Sequence, residues 1–239
     1  MTNLRHRIPV VASKTALLLG FLALLLVLAS ITGQLTRFWA GHGNVYGLVP
    51  LFNVELEDNF PSSFSALMLL FAGLLLGIIA VFKKTAQASY SSHWAILAFG
   101  FLYLAVDEAT SIHELLHRPT SELLGDYASG IFYYAWVIPG IAFVLLFALT
   151  FVKFLLHLHL RTRWLFLVGA ILFVGGAIGI EAIGGRYNAL HGSDNLTYNM
   201  IATLEESLEM AGVIVFIFAL LEYIETNYKE VGFHFGNAK

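Results

Sequence analysis

Seven acidic residues lie within stretches of the sequence that are otherwise almost wholly apolar. They are Asp107, Glu108, Glu114, Glu181, Glu205, Glu206 and Glu209. The only arginines close to them are Arg118 and Arg186, at the ends of these stretches. A charge at the centre of a bilayer costs on the order of 3 kcal/mol on insertion scales, so such a group of acids must be compensated. Seven carboxylates less two arginines leave up to five negative charges, which protons, metal ions, a cationic substrate or water would have to neutralise.

One of these acids belongs to a short metal-binding pattern. Residues 113–117 read His-Glu-Leu-Leu-His, which is the H-E-x-x-H motif. On one continuous helix, the imidazoles of His113 and His117 lie one turn apart and can present nitrogens to the same ion. Glu114 can then act as general base on a water bound to that ion. The motif therefore predicts metal-assisted activation of water.

This motif resembles that of the zincin metalloproteases, over five of the 239 residues. The resemblance implies that His113 and His117 are ligands and that Glu114 is the catalytic base. A third protein ligand is then needed, so that one position stays open for water. The candidates for it are the carboxylates of Glu205, Glu206 and Glu209.

A second interpretation uses more of the acidic residues. Glu114 and His117 have the i, i+3 spacing of the bundles that bind two metal ions through bridging carboxylates, and Glu206 and Glu209 supply an all-oxygen counterpart. The remaining acids would fill or bridge the two metal positions; these are Asp107, Glu108, Glu181 and Glu205. Ligands of this kind, without sulfur, suit a divalent metal such as Zn, Mn, Fe or even Ca, so the sequence does not select among them.

Six apolar stretches position these residues. Each is about as long as a helix needs to be to cross a bilayer core of roughly 30 Å. We predict spans at residues 14–32, 64–82, 93–117, 130–156, 164–184 and 199–224. Pro61 and the serines after it indicate a helix start, and Gly184-Gly185 indicates a helix end. The sequence thus predicts an all-α, six-span transmembrane helical bundle that forms a single integral membrane domain over residues 1–239.

The acids of three spans fall at a common depth. At about 1.5 Å per residue, Asp107 on the third span and Glu209 on the sixth both lie roughly 15 Å below the outer boundary. Glu181 on the fifth span falls near the height of Glu114. At about 100° per residue, the acids of spans three and six also form stripes along one helix face. We therefore expect spans three, five and six to share one site in the outward-facing half.

The distribution of lysine and arginine predicts the orientation. Ten of these residues fall on the side of the two termini and three on the other side, which places the N- and C-termini in the cytoplasm. The long loop over residues 33–62 then lies outside as a cap. Gly73 with Gly77, and Gly175 with Gly179, are small-residue pairs that favour close helix packing, either within the monomer or across a homodimer.

Composition excludes several classes of protein. With 58% hydrophobic and 12% charged residues and a mean hydropathy of +0.77, the chain is too apolar for a soluble fold, and the lipid bilayer is its expected partner. A net charge of −3 without a basic cluster gives no surface for nucleic acid. Zero cysteines exclude disulfides, thiolate metal sites and a cysteine nucleophile.

These observations favour a membrane-embedded metal-dependent enzyme, and in particular a hydrolase that activates water against a lipid or peptide bond. The main alternative is a proton- or cation-coupled transporter or channel that binds its ion with the same acids. The inner halves of the spans carry almost no ionisable groups, which argues against a continuous path. A redox or haem protein with histidine ligands is a third interpretation, which a visible absorption spectrum tests.

Overall fold

The computed structural model describes residues 11–228, and this part of the chain is helical throughout, without a β-strand. In chain order, the helices are α1 (Ala12–Ala40), α2 (Leu48–Leu51), α3 (Phe60–Thr85), α4 (Ser91–Thr110), α5 (His117–Leu124), α6 (Val137–His157), α7 (Leu160–Val174), α8 (Glu181–His191) and α9 (Leu196–Asn227). Short 3₁₀ turns cover Ile112–Leu116, Gly125–Tyr127 and Gly130–Phe132, and a π-helical segment, Gly175–Ile180, joins α7 to α8. The basic residues Arg5, Arg7, Lys229 and Lys239 lie outside the described residues.

Among residues 11–228, five helices are long and apolar enough to cross a membrane, as an integral membrane protein requires. The fourth of them, Leu160–His191, consists of α7, the π-helical segment and α8 together. A sixth span results if α4 and the bent segment Ile112–Leu124 are taken as one. The expectation of an all-helical protein is confirmed.

The third predicted span, 93–117, is not one continuous helix. Helix α4 ends at Thr110, and Ser111 adopts the left-handed conformation with φ 47° and ψ 43°. The chain then turns by 82° into the segment Ile112–Leu124. The cause is Asp107, whose Oδ1 accepts a hydrogen bond from the backbone N–H of His113 at 2.7 Å, because an aspartate side chain competes with the helix for backbone donors. The H-E-x-x-H motif therefore occupies a 3₁₀ turn and the first residue of α5.

Other predicted boundaries also differ from the structure. Helix α6 begins at Val137 rather than near 130, after a turn in which Gly130 has φ 62°. The loop predicted over 33–62 is shorter, because α1 continues to Ala40 and α3 begins at Phe60. The segment between them, residues 41–59, contains α2 and is called the cap below. The helix end predicted at Gly184-Gly185 is wrong, since α8 continues to His191.

Those two glycines serve helix packing instead. A Cβ added at Gly185 would lie 2.7 Å from the ring of Tyr134, and one at Gly184 would lie 3.5 Å from the side chain of Ile201. A glycine that ends a helix is selected for its backbone conformation, whereas these two are selected because a side chain would meet a neighbouring residue. The pattern Gly-Gly thus marks a close approach of α8 to the segment before α6 and to α9.

Helices α3 and α9 form the centre of the bundle. Half of the apolar window of each is buried inside the protein, against 11–17% for α1, α6 and the α7–α8 span. Neighbouring helices pack closely on these two helices at glycines. A Cβ at Gly212 of α9 would lie 2.7 Å from the carbonyl oxygen of Gly169 on α7. Gly73 of α3 is likewise packed against Leu102 of α4. Gly73 therefore packs within the chain, whereas Gly77, Gly175 and Gly179 have no such neighbour within 4 Å.

Candidate functional site

Asp107 and His113 form an oriented pair at the bend after α4. The Nδ1 of His113 lies 2.9 Å from Oδ2 of Asp107. Because an ionised carboxylate only accepts hydrogen bonds, the proton of a neutral His113 sits on Nδ1, and Nε2 keeps its lone pair. The imidazole also packs on the ring of Trp136, with centroids 4.5 Å apart. Carboxylate–histidine pairs of this kind orient metal-binding histidines.

His117 has a different environment. Its Nδ1 accepts a hydrogen bond from the backbone N–H of Ala135 at 3.1 Å, so in the neutral ring the proton is on Nε2. Metal ligation by His117 would require this bond to break or Nε2 to lose its proton. The two histidines therefore do not present equivalent nitrogens to one ion, as the motif on a continuous helix would.

The packing of α4 on α9 determines which acids meet. Trp94 packs against Tyr223 with ring centroids 4.9 Å apart, and Phe101 stacks on Phe216 at 4.6 Å. Each contact is seven residues from the other on both helices, so the helices are antiparallel and in constant register. A further step of seven residues, about two turns, leads to Glu108 and Glu209. Glu108 accordingly lies within electrostatic range of Glu209.

The span α7–α8 contributes Glu181 from the other side of α9. A Cβ at Gly176 would lie 2.8 Å from the carbonyl oxygen of Glu205 and 2.9 Å from Cγ of Glu209, so only glycine permits this approach. Glu181 follows the π-helical segment directly, and its side chain faces that of Glu205 at close range. Trp136 Nε1 donates a hydrogen bond to Glu181 Oε1 at 3.1 Å.

Glu206 lies within electrostatic range of Glu108 and Glu181. Glu209 in turn is in range of Glu206 and Asp107. Glu114 is exposed after the bend, but it remains in range of His113 and Glu181. The structure thus brings all seven predicted acids and His113 into one electrostatically connected set, called the acidic cluster below.

The sequence did not indicate that the cap contributes to this cluster. Glu55 and Glu57 are in electrostatic range of Glu206. Burial raises the pKa of Glu55 from 4.5 to about 7, with the hydrogen bond from Tyr198 acting in the opposite direction. Burial also raises the pKa of Glu57, and the negative charge of Glu114 adds to that effect. The sequence placed both residues in a loop, where acids are ordinarily solvated, so only the fold of the cap identifies them.

A chain of hydrogen bonds connects Glu55 to α8. Tyr198 bonds the Glu55 side chain, and its hydroxyl lies 2.9 Å from that of Tyr134. Asn188 donates from Nδ2 to the Tyr134 hydroxyl at 2.8 Å. Burial raises the pKa of Tyr134 above its ordinary value, so its hydroxyl stays protonated at neutral pH. The chain ties the cap, α8 and α9 together beside the acids.

No lysine or arginine among the described residues forms an ion pair with the acidic cluster. Arg37 pairs with Asp194 at 2.7 Å, and Arg118 pairs with Glu122 at 2.9 Å. Arg161 pairs with Glu222 at the other end of the bundle. Within residues 11–228, no group of three or more His, Asp and Glu side chains is arranged so that it could hold a metal ion as it stands.

Residues 16–224 match the family model described as a domain of unknown function, DUF8692, and the chain belongs to that family. No curated protein and no solved structure matches the chain.

Proposed function

We propose that the protein is a membrane-embedded, metal-dependent enzyme whose acidic cluster binds one or two divalent ions, such as Zn, Mn or Fe. The Asp107–His113 pair carries the proposal. It holds Nδ1 on Asp107, so that Nε2 of the neutral ring has the lone pair, and it orients the ring beside Trp136, whose indole also bonds Glu181. A histidine prepared in this way, next to a surplus of carboxylates, is what a carboxylate-rich metal centre uses.

The reaction class that we propose is hydrolysis of a lipid or peptide bond. A divalent ion, when bound, supplies a Lewis acid and makes water nucleophilic near neutral pH. Glu114 can accept a proton from that water, since it is exposed and yet in electrostatic range of His113. Glu108, Glu206 and Glu209 would supply oxygen ligands in place of a second histidine, because His117 already binds the Ala135 N–H.

Elemental analysis of the detergent-purified full chain tests the metal. We expect stoichiometric Zn, Mn or Fe in the wild type and none in the double variant H113A/E206A. The matched control is H42A/E122Q, which removes one exposed histidine and one exposed glutamate and should retain the metal. A wild type without metal, or a double variant that retains it, refutes the proposal.

Activity tests the role of Glu114. The probes are fluorogenic lipid esters in mixed micelles and a fluorogenic peptide library, each assayed with and without a chelator. We expect the E114Q variant to keep its metal and to lose hydrolysis of the substrate that the wild type cleaves. Hydrolysis that survives both chelation and E114Q would exclude this mechanism.

A cation-coupled transporter is the second candidate, and the helix interruptions favour it. Both the turn at Ser111 and the π-helical segment Gly175–Ile180 lie at the level of the acids, and transporters bind ions where spans are discontinuous. Cation flux into proteoliposomes distinguishes the two candidates. Flux that requires Glu209, together with an absence of retained metal, would favour the transporter.

We also propose six spans, with the bent segment counted with α4 and both termini cytoplasmic, within one integral membrane domain. The lysine and arginine distribution supports this orientation. Because the chain contains no cysteine, single cysteines can be introduced one at a time at Ser91 and at His42. An impermeant maleimide applied to intact cells should label the position 42 variant only. Labelling of the position 91 variant would show that the orientation is the opposite of the proposed one.

A further inference from the structure

Helix α5 presents an exposed apolar surface beside the bend. None of its residues is buried. His117 and Leu124 lie on the same side of the helix and are half-buried, and the His117 ring is held by the backbone N–H of Ala135. This side therefore faces the rest of the protein. Three exposed apolar residues lie on another side and are called the apolar flank below: Leu116, Pro119 and Leu123.

The apolar flank is separated from the charged residues of the helix. At about 100° per residue, its three members fall within about 60° of one another around the axis, and Arg118 and Glu122 lie about 110° away from them. Those two residues form an ion pair, with Arg118 Nε 2.9 Å from Glu122 Oε1. Leu123 is 87% exposed, which makes it the most exposed leucine of residues 11–228. Separate apolar and charged sides are typical of helices that lie in a bilayer interface.

The chain enters and leaves this segment through helices that expose apolar side chains. Phe99 and Val106 are exposed on α4, and Phe143 is exposed on α6. Tyr127 and Ile131, between α5 and α6, are exposed as well. Helix α6 is long and apolar enough to cross a membrane, and only 17% of its apolar window is buried inside the protein. The apolar flank is thus continuous along the chain with a surface that lipid would cover.

A second copy of the chain fits this flank poorly. Stable protein–protein interfaces use about 20–30 residues on each side, whereas the apolar flank has three members. A bilayer requires no such area, because lipids surround each apolar side chain individually.

We propose that α5 is an interfacial helix whose apolar flank docks among the lipids of the protein's own bilayer, while Arg118 and Glu122 remain in water. The 82° turn directs α5 crosswise to α4, so that the flank meets the bilayer where α4 ends. This inference rests on the proposed six-span arrangement, because α4 has to be a span. It does not depend on a metal ion.

Spin labels on single cysteines test the inference, since the chain contains no cysteine of its own. The full chain carries L123C, L116C, E122C or F99C in turn, in vesicles of phosphatidylcholine and phosphatidylglycerol. Power saturation compares collision of the label with oxygen, which concentrates in lipid, and with a neutral nickel chelate, which stays in water. We expect the ratio of oxygen to nickel collisions to be several-fold higher for L123C and L116C than for E122C. E122C is the matched control, because it is adjacent to Leu123 and loses only an exposed ion pair.

The label on F99C separates this inference from the arrangement on which it rests. If F99C lies in lipid but L123C and L116C collide with nickel as often as E122C does, the inference is wrong and the six-span arrangement stands. If F99C itself lies in water, α4 is not a span and both fail. Dipolar broadening of the L123C spectrum that disappears on dilution with unlabelled protein would show that a second copy covers the flank, which also overturns the inference.

Discussion

The two ends of the bundle differ in composition: aromatic rings pack at one end, and carboxyl groups cluster at the other. At one end, α4, α6, α7 and α9 meet through aromatic rings; Trp94 contacts Phe154, Phe166 and Tyr223 with centroids 4.9–5.9 Å apart. At the other end α4 and α9 carry most of the acidic cluster and α8 adds Glu181, and the chain is interrupted at Ser111 and at Gly175–Ile180. The helices are regular where rings pack, whereas next to the carboxyl groups α4 ends and α7 passes into a π-helical segment, with only α9 continuing unbroken.

This difference assigns folding stability to the aromatic end of the bundle and the proposed ion binding to the acidic end. Close packing of apolar rings supplies much of the folding energy, and charges there would be costly. The acidic end contributes repulsion and unpaired polar atoms, which persist only because the aromatic end and the glycine contacts hold the helices together. Substitutions at the aromatic end should therefore change stability, whereas those at the acidic end should change ion binding.

The largest expected effect comes from Trp94 at the aromatic end. Trp94 is 1% exposed, so W94A should lower the free energy of unfolding by about 3–5 kcal/mol. Thermal unfolding in detergent, followed by intrinsic fluorescence, measures the change. Trp164 is the control: it is 60% exposed, and W164A should cost less than about 1 kcal/mol. Equal effects of the two variants would contradict the comparison.

A pH-dependent effect is expected from Glu55. Burial raises its pKa in the folded protein from 4.5 to about 7, so between these values the folded chain keeps a proton that the unfolded chain has lost. The stabilising contribution of the protonated group is complete below pH 4.5 and decreases as pH rises to 7, by about 3 kcal/mol in total.

The measurement compares the wild type with E55Q in chelator-containing buffer from pH 4.5 to 8. The stability of the wild type should fall relative to E55Q as pH rises, while E122Q, at an exposed position, should follow the wild type. A constant difference between the wild type and E55Q across this range would mean that the carboxyl group is solvated.

Gly176 packs the π-helical segment against the acidic part of α9. G176A places a methyl group 2.8 Å from the Glu205 carbonyl oxygen, so α9 has to shift, and we expect a loss of about 1–3 kcal/mol together with weaker ion binding. G179A is the matched control within the same π-helical segment, because a Cβ there meets nothing within 4 Å. A G176A variant that is as stable as G179A would show that this approach is not tight.

The smallest free-energy change is expected at Asp107. D107N replaces the carboxylate that orients His113 with an amide that cannot accept through both atoms. We expect the affinity for the metal to fall by ~10-fold, or about 1.4 kcal/mol, with a smaller change in thermal stability. Titration with Mn²⁺ measures this, and E122Q is again the control. If the affinity for Mn²⁺ is unchanged, Asp107 does not orient His113 for metal binding.

The sequence predicted the helical class of the fold well, because apolar stretches of 20 residues leave few alternatives to helices. It also identified the seven acids, since a carboxyl group in such a stretch stands out by type alone. The register between α4 and α9 that brings Glu108 to Glu209 depends on ring contacts between distant residues, and periodicity within one helix contains no such information.

The turn at Ser111 was missed for a related reason. Residues 93–117 are helical in composition, and the helix ends because the Asp107 side chain captures the N–H of His113. The pattern of apolar residues contains no information about a single hydrogen bond between a side chain and the backbone. The cap was missed because Glu55 becomes buried only when α1, α2 and α9 are assembled, and the pattern of a loop contains no signal for this.

The 82° turn sets the direction of the chain after α4. A helix that crosses a bilayer and then bends almost at right angles continues along the plane of the membrane. If α4 is parallel to the bilayer normal, the eight residues of α5 lie nearly parallel to the membrane plane, with Arg118 and Glu122 paired on the helix surface. Glu114 is exposed at the start of this segment, so its carboxyl group lies beside the bend, where the chain leaves the direction of α4 and continues crosswise to it.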